Sequence, residues 1–414
     1  MDKDVIFFPW RDFDLMKREG FRTREANILL MLLENPKIER IICVNRFKLP
    51  KYLMRIFQSL KIYGLIDYEK NSSHTEENFF SEPIVLSKRI FSKVKQVHPK
   101  LFVVEINHYI PNKSNKLERF KFFKKRVEEE IRNVQKKLNI VEYTTWCYDL
   151  TRIQVATEVK SKILIFDAID NLLEHDQMKS SRKYLQNMYG IVEHKANIIF
   201  STSEDIIKNL FPNHKDAYYI PNGVSYKFYD NKTSKTPPSD LPSNDFPIVG
   251  YVGLLQERVD TDILIKAIKN NKNVNFIFIG PELNPHHFEN IKRYSNVFFL
   301  GSKHHSEIPY YIEYFDVGII PHKVNNFTKS MSPLKLYEYL ASKKQVVTTP
   351  VPPSEEFEKF IHIATTSDEF SLKIQECLER PYQKFTKKDI SSMIKNHEWK
   401  KRLDVMLEII DNYH

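Results

Sequence analysis

Residues 316–349 read DVGIIPHKVNNFTKSMSPLKLYEYLASKKQVVTT, and the order of signals inside this stretch decides the fold. Asp316 to Ile320 is short, mostly apolar and stopped by Pro321, which predicts a buried strand. A polar loop follows. Ser332-Pro333 then predicts a helix start, with Ser as N-cap and Pro at the first helical position, where its missing N–H would have no partner anyway. The helix is predicted from Leu334 to about Ser342, and Gln345 to Thr349 as the next strand. Strand, capped helix and strand in this order make a βαβ unit, whose helix start offers free N–H groups and a positive dipole end to an anion. Glu338 stands little more than one turn into that helix. A nucleotide sugar would present a diphosphate to the helix start and ribose hydroxyls to the carboxylate. The plain alternative is a capped surface helix with a solvated Glu338.

The run Pro333-x-Lys335-x-x-Glu338-Tyr339-Leu340-Ala341, followed by Lys343-Lys344 and Val346-Val347-x-Thr349, carries a family resemblance. It resembles the donor-site helix of retaining GT-B glycosyltransferases of the glycogen-synthase-like family 4, and within it the teichuronic-acid and capsule-type bacterial enzymes. The resemblance implies an α/β protein with two Rossmann-like, doubly wound domains facing a cleft. It places Glu338 on the donor ribose, and Ser332, Pro333, Leu334, Lys335 and Leu336 at the diphosphate. Gly253, Gly301 and Lys323 complete the donor set.

The 414 residues suffice for two domains, and 42% hydrophobic with 28% charged residues describes a folded chain. No apolar run reaches the roughly 18 residues of a membrane span, and MDKDVIFFPW does not read as a secretory signal. Cys43, Cys147 and Cys377 are widely spaced, as reduced thiols of a cytoplasmic protein would be. A net charge of +10 attracts nucleic acid, anionic membrane or phosphorylated substrates without choosing among them. No nucleic-acid motif is present, and for an enzyme of the resembling family a membrane surface bearing a lipid-linked acceptor is the natural partner.

In chain order, Val5–Phe8 predicts a strand, and Trp10–Thr23 a basic loop leading into a helix from about Arg22 to Glu34. In the resembling enzymes the first loop lines the cleft, which makes Arg18, Gly20, Arg22 and Arg24 acceptor-side candidates, together with Arg11; a solvated basic loop is the alternative. Lys48–Phe57 is basic and apolar together, a membrane-facing patch or an ordinary amphipathic helix. Ile163–Phe166 predicts a strand with Asp167 and Asp170 at its carboxyl end, where open α/β sheets bind ligands. Active-site contact and turn capping are both open to these two carboxylates. The expected helix Met178–Lys195 precedes Ile220-Pro-Asn222-Gly223-Val224, where Asn-Gly predicts a tight turn; in the resembling family this turn ends the first domain and faces the acceptor. Residues 231–246 are polar and proline-rich, a linker. The expected domains are therefore 1–230 and 247–396, with the C-terminal helix 397–413 returning to the first.

Two departures from the family pattern bear on catalysis. Ser330 stands where the first Glu of a Glu-x7-Glu pair is common, and Gly253 is followed by Leu254-Leu-Gln-Glu-Arg258 rather than by an early Arg and Lys. Arg258 or Lys335 would then offset the charge that develops on the departing diphosphate. No metal-ligand spacing is present, so no metal and no cofactor beyond the nucleotide sugar is expected. The resemblance implies a retaining transfer from a UDP- or GDP-sugar to a saccharide or lipid-linked acceptor in bacterial surface polysaccharide synthesis. A degenerate protein that binds nucleotide sugar or scaffolds a partner is the alternative, and a UDP-sugar 2-epimerase a third reading.

Overall fold

A computed structural model of the chain describes residues 2–46, 79–89, 92–106, 116–230, 236–382 and 385–413. The segment Lys48–Phe57 lies outside them. The chain divides into two compact units, residues 1–220 with 403–414, and residues 221–402.

The first unit is built on a nine-stranded sheet. Its strands are β1 (Asp4–Phe8), β2 (Arg40–Val44), β3 (Ile84–Lys88), β4 (Ser92–His98), β5 (Leu101–Ile106), β6 (Thr144–Cys147), β7 (Ile163–Ala168), β8 (Ile198–Ser201) and β9 (Ala217–Tyr219). Their order is β3-β4-β5-β2-β1-β6-β7-β8-β9, parallel except at the β3-β4-β5 edge. β1 is buried along its whole length, as a central parallel strand covered on both faces must be. It pairs with β2 on one side and β6 on the other, so the order reverses there.

Asp149, just past β6, holds that reversal together. Its Oδ2 accepts from Arg46 Nε (2.8 Å) and Arg152 Nε (2.9 Å), and its Oδ1 from the Thr151 N–H and hydroxyl (2.9 and 2.6 Å). Arg152 also donates to the carbonyls of Val44 and Pro9, tying the ends of β2 and β1 to the same carboxylate. Burial works to raise this carboxyl, but Arg46 and Arg152 outweigh it and hold Asp149 below the usual carboxylate range.

The second unit has a six-stranded parallel sheet: β10 (Ile248–Val252), β11 (Asn275–Ile279), β12 (Val297–Gly301), β13 (Val317–Ile320), β14 (Gln345–Thr348) and β15 (His362–Ile363). The order β12-β11-β10-β13-β14-β15 is that of a doubly wound dinucleotide-type sheet. Alternate residues of its strands enter two separate cores. Ile277, Ile279, Ile320 and Val346 pack with Tyr337 and Leu340 of the helix Leu334–Ala341. On the opposite face Val249, Phe276, Phe278 and Ile319 pack with Leu264 and Ile268 of the helix Thr261–Asn270 and with Phe370 and Ile374 of the helix Ser367–Glu379.

Several local expectations give way to tertiary structure. The Trp10–Thr23 loop contains a helix, Phe13–Arg18, which buries Phe13 and Met16. Ile84–Lys88 and Ser92–His98, within the basic and apolar residues 48–98 that show no clean period, form β3 and β4 at the sheet edge. The helix expected from Met178 begins at Arg182, after a 3-10 segment. Asp167 lies within β7, in register with Phe200, rather than beyond its end. The division between units falls after Ile220, and the described part of the expected linker is bound into the second unit. There Asp240 accepts from the Tyr311 hydroxyl (2.8 Å) and pairs with Lys303 (2.5 Å).

The Asp149 cluster makes a stability prediction. Asp149→Asn removes the charge that balances a buried Arg152, and such losses cost about 3–5 kcal/mol. The midpoint of urea unfolding should fall well below that of the wild type, and an unchanged midpoint contradicts the assignment.

Candidate functional site

A doubly wound sheet opens where its strand order reverses, which in the second unit is between β10 and β13. Their register covers only Val249 with Val317 and Gly250 with Gly318, while β10 runs on to Val252. The Val252 N–H therefore has no strand partner on the β13 side. It donates instead to the phenol oxygen of Tyr339 (2.8 Å), from the helix Leu334–Ala341. Tyr339 is fully buried, and burial holds its phenol well above the ordinary value.

Beyond Val252 the backbone turns at Gly253, with φ +142°. Its N–H donates to Ile279 O (2.8 Å). The end of β11 repeats the device at Gly280, φ +143°, where a Cβ would stand 2.0 Å from the Gly253 carbonyl oxygen. No side chain fits there, so glycine is required by contact as well as by conformation. The following loop is clipped down by Leu255 N–H to Pro281 O (3.0 Å), Lys323 N–H to Arg258 O (2.8 Å) and Asp260 N–H to Pro321 O (2.7 Å). Arg258 is thereby held beside the end of β13.

Lys335 enters from the other side. Its ammonium lies 4.7 Å from the centre of the Tyr251 ring, within cation–π range. A Cβ at Gly253 would come within 3.1 Å of its Nζ. Glu338 is half-buried and follows Lys335 by three residues, which puts both on one helix face. The helix start itself is built otherwise than its sequence suggests. Pro333, not Ser332, is the N-cap, and no side chain caps the helix. Ser332 is occupied elsewhere: its carbonyl accepts from Asn222 Nδ2 (2.7 Å) and its hydroxyl lies 3.4 Å from the Tyr337 hydroxyl. The first N–H groups of a helix have no intrahelical acceptor, and here they adjoin Lys335. The arrangement offers an anion two side-chain cations, a glycine turn and a helix start at one strand junction.

Residues 246–380 match the model of the family described as Glycosyl transferases group 1. That segment is similar to the group 1 glycosyl transferases. Over 184 residues, 43% of this chain, the protein is 26% identical to the putative teichuronic acid biosynthesis glycosyltransferase TuaH of Bacillus subtilis (strain 168), and the match spans 46% of that relative's length. In fold it is similar to HepE of Anabaena, solved in complex with UDP and glucose, at TM-score 0.65 and 14% identity over 100% of both chains. It is similar also to the catalytic domain of Starch Synthase IV from Arabidopsis thaliana, bound to ADP and acarbose, at TM-score 0.69 and 13% identity over 100% of this chain and 99% of that one. The architecture is GT-B, as the sequence led one to expect.

Within residues 246–380 the junction gathers Gly253, Arg258, Lys323, Ser332, Pro333, Leu334, Lys335, Leu336 and Glu338. Gly301 is not among them: it closes β12, two strands from β10. Asn222 and Gly223 belong to this unit rather than to the first. They form no turn of positive φ. Val224 instead bridges Glu398 in extended backbone, and a Cβ at Gly223 would stand 2.9 Å from His397 O and 3.1 Å from the Trp399 ring. Close approach, not a turn, requires that glycine, and Asn222 supports the start of the helix Leu334–Ala341 through the Ser332 carbonyl.

In the first unit the expected acceptor-side cations are mostly engaged internally. Arg24 Nε and Asp167 Oδ1 form a fully buried pair at 2.9 Å, so neither presents itself to solvent. Glu19 takes both Arg11 (2.7 Å) and Arg22 (3.1 Å). Gly20 is buried at φ +70°, Arg18 is exposed, and Asp170 is half-buried with its carbonyl accepting from the Tyr189 hydroxyl (3.1 Å). Two residues of the β10/β13 junction escaped the sequence reading, His322 and Tyr251. Their position directly at the ends of β13 and β10 was the available signal.

Tyr339→Phe should leave the buried Val252 N–H unpaired and lower stability by about 1–3 kcal/mol, read as a fall in the urea midpoint; a neutral result contradicts the role given to this bond. A second prediction concerns pH. His397 Nδ1 faces Arg402 Nη2 at 2.5 Å, and burial, then the charges of Arg402 and Lys401, push the imidazole from 6.5 down to about 4. The unfolded chain takes the proton first as pH falls, so this group's contribution is full above about 6.5 and is lost progressively toward about 4. Urea midpoints across that window should fall less steeply in His397→Gln than in the wild type, and parallel profiles contradict the assignment.

Proposed function

We propose that the chain transfers a sugar, with retention of configuration, from a UDP- or GDP-sugar to a saccharide or lipid-linked acceptor, in building a bacterial surface polysaccharide. The observation that carries this reading is the convergence of Lys335, Arg258 and the uncapped helix start at the β10/β13 junction, with Glu338 one turn further on. A diphosphate fits the cations and N–H groups, and a ribose diol fits the carboxylate. As the sugar–phosphate bond breaks, negative charge grows on the departing diphosphate, and Lys335 and Arg258 are placed to offset it. Two side-chain cations can serve that purpose without a resident metal, so activity should survive chelation by EDTA.

The similarity to TuaH, named for teichuronic acid biosynthesis, supports the surface-polysaccharide context. HepE, solved with UDP and glucose, and Starch Synthase IV, bound to ADP, support a nucleotide-sugar donor. The net charge of +10 favours peripheral contact with an anionic membrane carrying the acceptor. Among the described residues no helix is long and apolar enough to cross one. On the acceptor side, Asp167 would act by holding Arg24, leaving the exposed Arg18 and the half-buried Asp170 as candidates for acceptor contact.

Ser330 favours one competing reading. It is buried, its hydroxyl donates to Phe327 O (2.7 Å), and it places no carboxylate at the donor. A protein that binds nucleotide sugar without turning it over would look like this. The test is a thermal-shift panel of UDP, GDP, ADP and their sugar conjugates, followed by turnover of whichever donor binds. A nucleotide at about 100 times its Kd should add roughly 2.7 kcal/mol of stability, and Glu338→Ala should lose most of it. Lys335→Ala should weaken binding about ten- to hundredfold. Binding without turnover selects the degenerate reading, and no shift with any nucleotide removes the donor site.

A further inference from the structure

The donor junction contains a histidine that none of its proposed contacts uses. His322 follows Pro321 at the end of β13 and is fully buried. Its Nε2 lies 3.4 Å from the Tyr251 hydroxyl, which itself donates to Leu254 O (3.1 Å). A hydroxyl that has given its proton to Leu254 accepts at this contact, so Nε2 carries the imidazole proton and Nδ1 is a bare lone pair. That Nδ1 is buried without a hydrogen-bond partner. Backbone holds the residue on two further sides: Val259 bridges it in antiparallel sense, and the Thr349 hydroxyl donates to its carbonyl (2.6 Å).

The chain of contacts leads outward to the anion site. His322 touches Tyr251, the Tyr251 ring lies under the Lys335 ammonium, and that ammonium stands in the gap that Gly253 leaves open. We propose that His322 is a positioning residue of the donor site: it touches no ligand atom, and it orients Tyr251 and thereby Lys335 toward the diphosphate. This inference rests on the donor-site reading above.

The charges around His322 add a second property. The groups that act on it are Tyr251 from β10, Arg258 from the following loop and Lys335 from the helix; burial first, then the Lys335 and Arg258 charges, hold its imidazole well below 6.5. It is neutral in the free protein at neutral pH. A bound diphosphate offsets both cations and so removes part of what opposes protonation. Anion binding and proton uptake at Nδ1 are thus linked, each favouring the other.

The experiment measures UDP affinity by calorimetry for the wild type, His322→Gln and His322→Leu from pH 8 to pH 6, in two buffers of different ionisation enthalpy. Gln retains a donor toward Tyr251 and cannot titrate, whereas Leu retains neither property. At pH 8 the Gln variant should bind within about twofold of the wild type, and the Leu variant about tenfold more weakly. Toward pH 6 the wild type should take up more protons on binding UDP than the Gln variant, and its affinity advantage should grow. The Gln variant also subtracts the titration of UDP itself. Equal affinity of the Leu variant and the wild type at pH 8, or equal proton counts in the wild type and the Gln variant, overturns this inference alone. Failure of the wild type to bind UDP, GDP or ADP overturns the donor-site reading and this inference with it.

Discussion

The second unit depends on what happens where β10 and β13 part. Their pairing stops at Gly250 and Gly318, yet β10 continues to Val252, which leaves a backbone N–H facing a gap. A buried N–H without an acceptor is costly. Tyr339 supplies the acceptor, and so fixes the helix Leu334–Ala341 over the gap at a definite height and rotation. Lys335 and Glu338 project from the same helix, so their positions follow from that one contact. The glycine turn at Gly253 begins one residue beyond the bonded N–H, which brings turn and helix start together.

The arginines fixed in the first unit and the two cations of the β10/β13 junction in the second are held differently. In the first, Asp149 takes Arg46 and Arg152, Glu19 takes Arg11 and Arg22, and Asp167 takes Arg24. These pairs fasten strand ends and helix starts to one another. In the second, Lys335 rests on an aromatic face and Arg258 lies beside Gln256 and Tyr251. A neutral buried imidazole beneath two cations is an arrangement poised for a negative ligand, since each such ligand relieves repulsion already present.

Much of the β10/β13 junction was legible because its signals are local. Strand, Pro321, loop, helix and strand follow in sequence within 316–349, and Gly253 marks the end of β10 by itself. Glu338 and Lys335 share a helix face by spacing alone. The remainder was hidden by contacts distant in sequence. Arg24 and Asp167 are 143 residues apart, so two candidates for solvent contact proved to neutralise each other. Asn222-Gly223 carries a strong local turn signal that the approach of His397 and Trp399 overrides. Ser332-Pro333 reads as a helix cap until Asn222 claims the Ser332 carbonyl. Nothing local singles out His322, because sequence shows neither its burial nor the two cations that act on it.

The central claim is a location, and a crystal structure of the chain with UDP tests it most directly. The account predicts the β-phosphate at the Leu334 and Lys335 N–H groups with Lys335 and Arg258 around it, and the ribose diol on Glu338. UDP bound elsewhere on the second unit, or with its ribose turned away from Glu338, would contradict it.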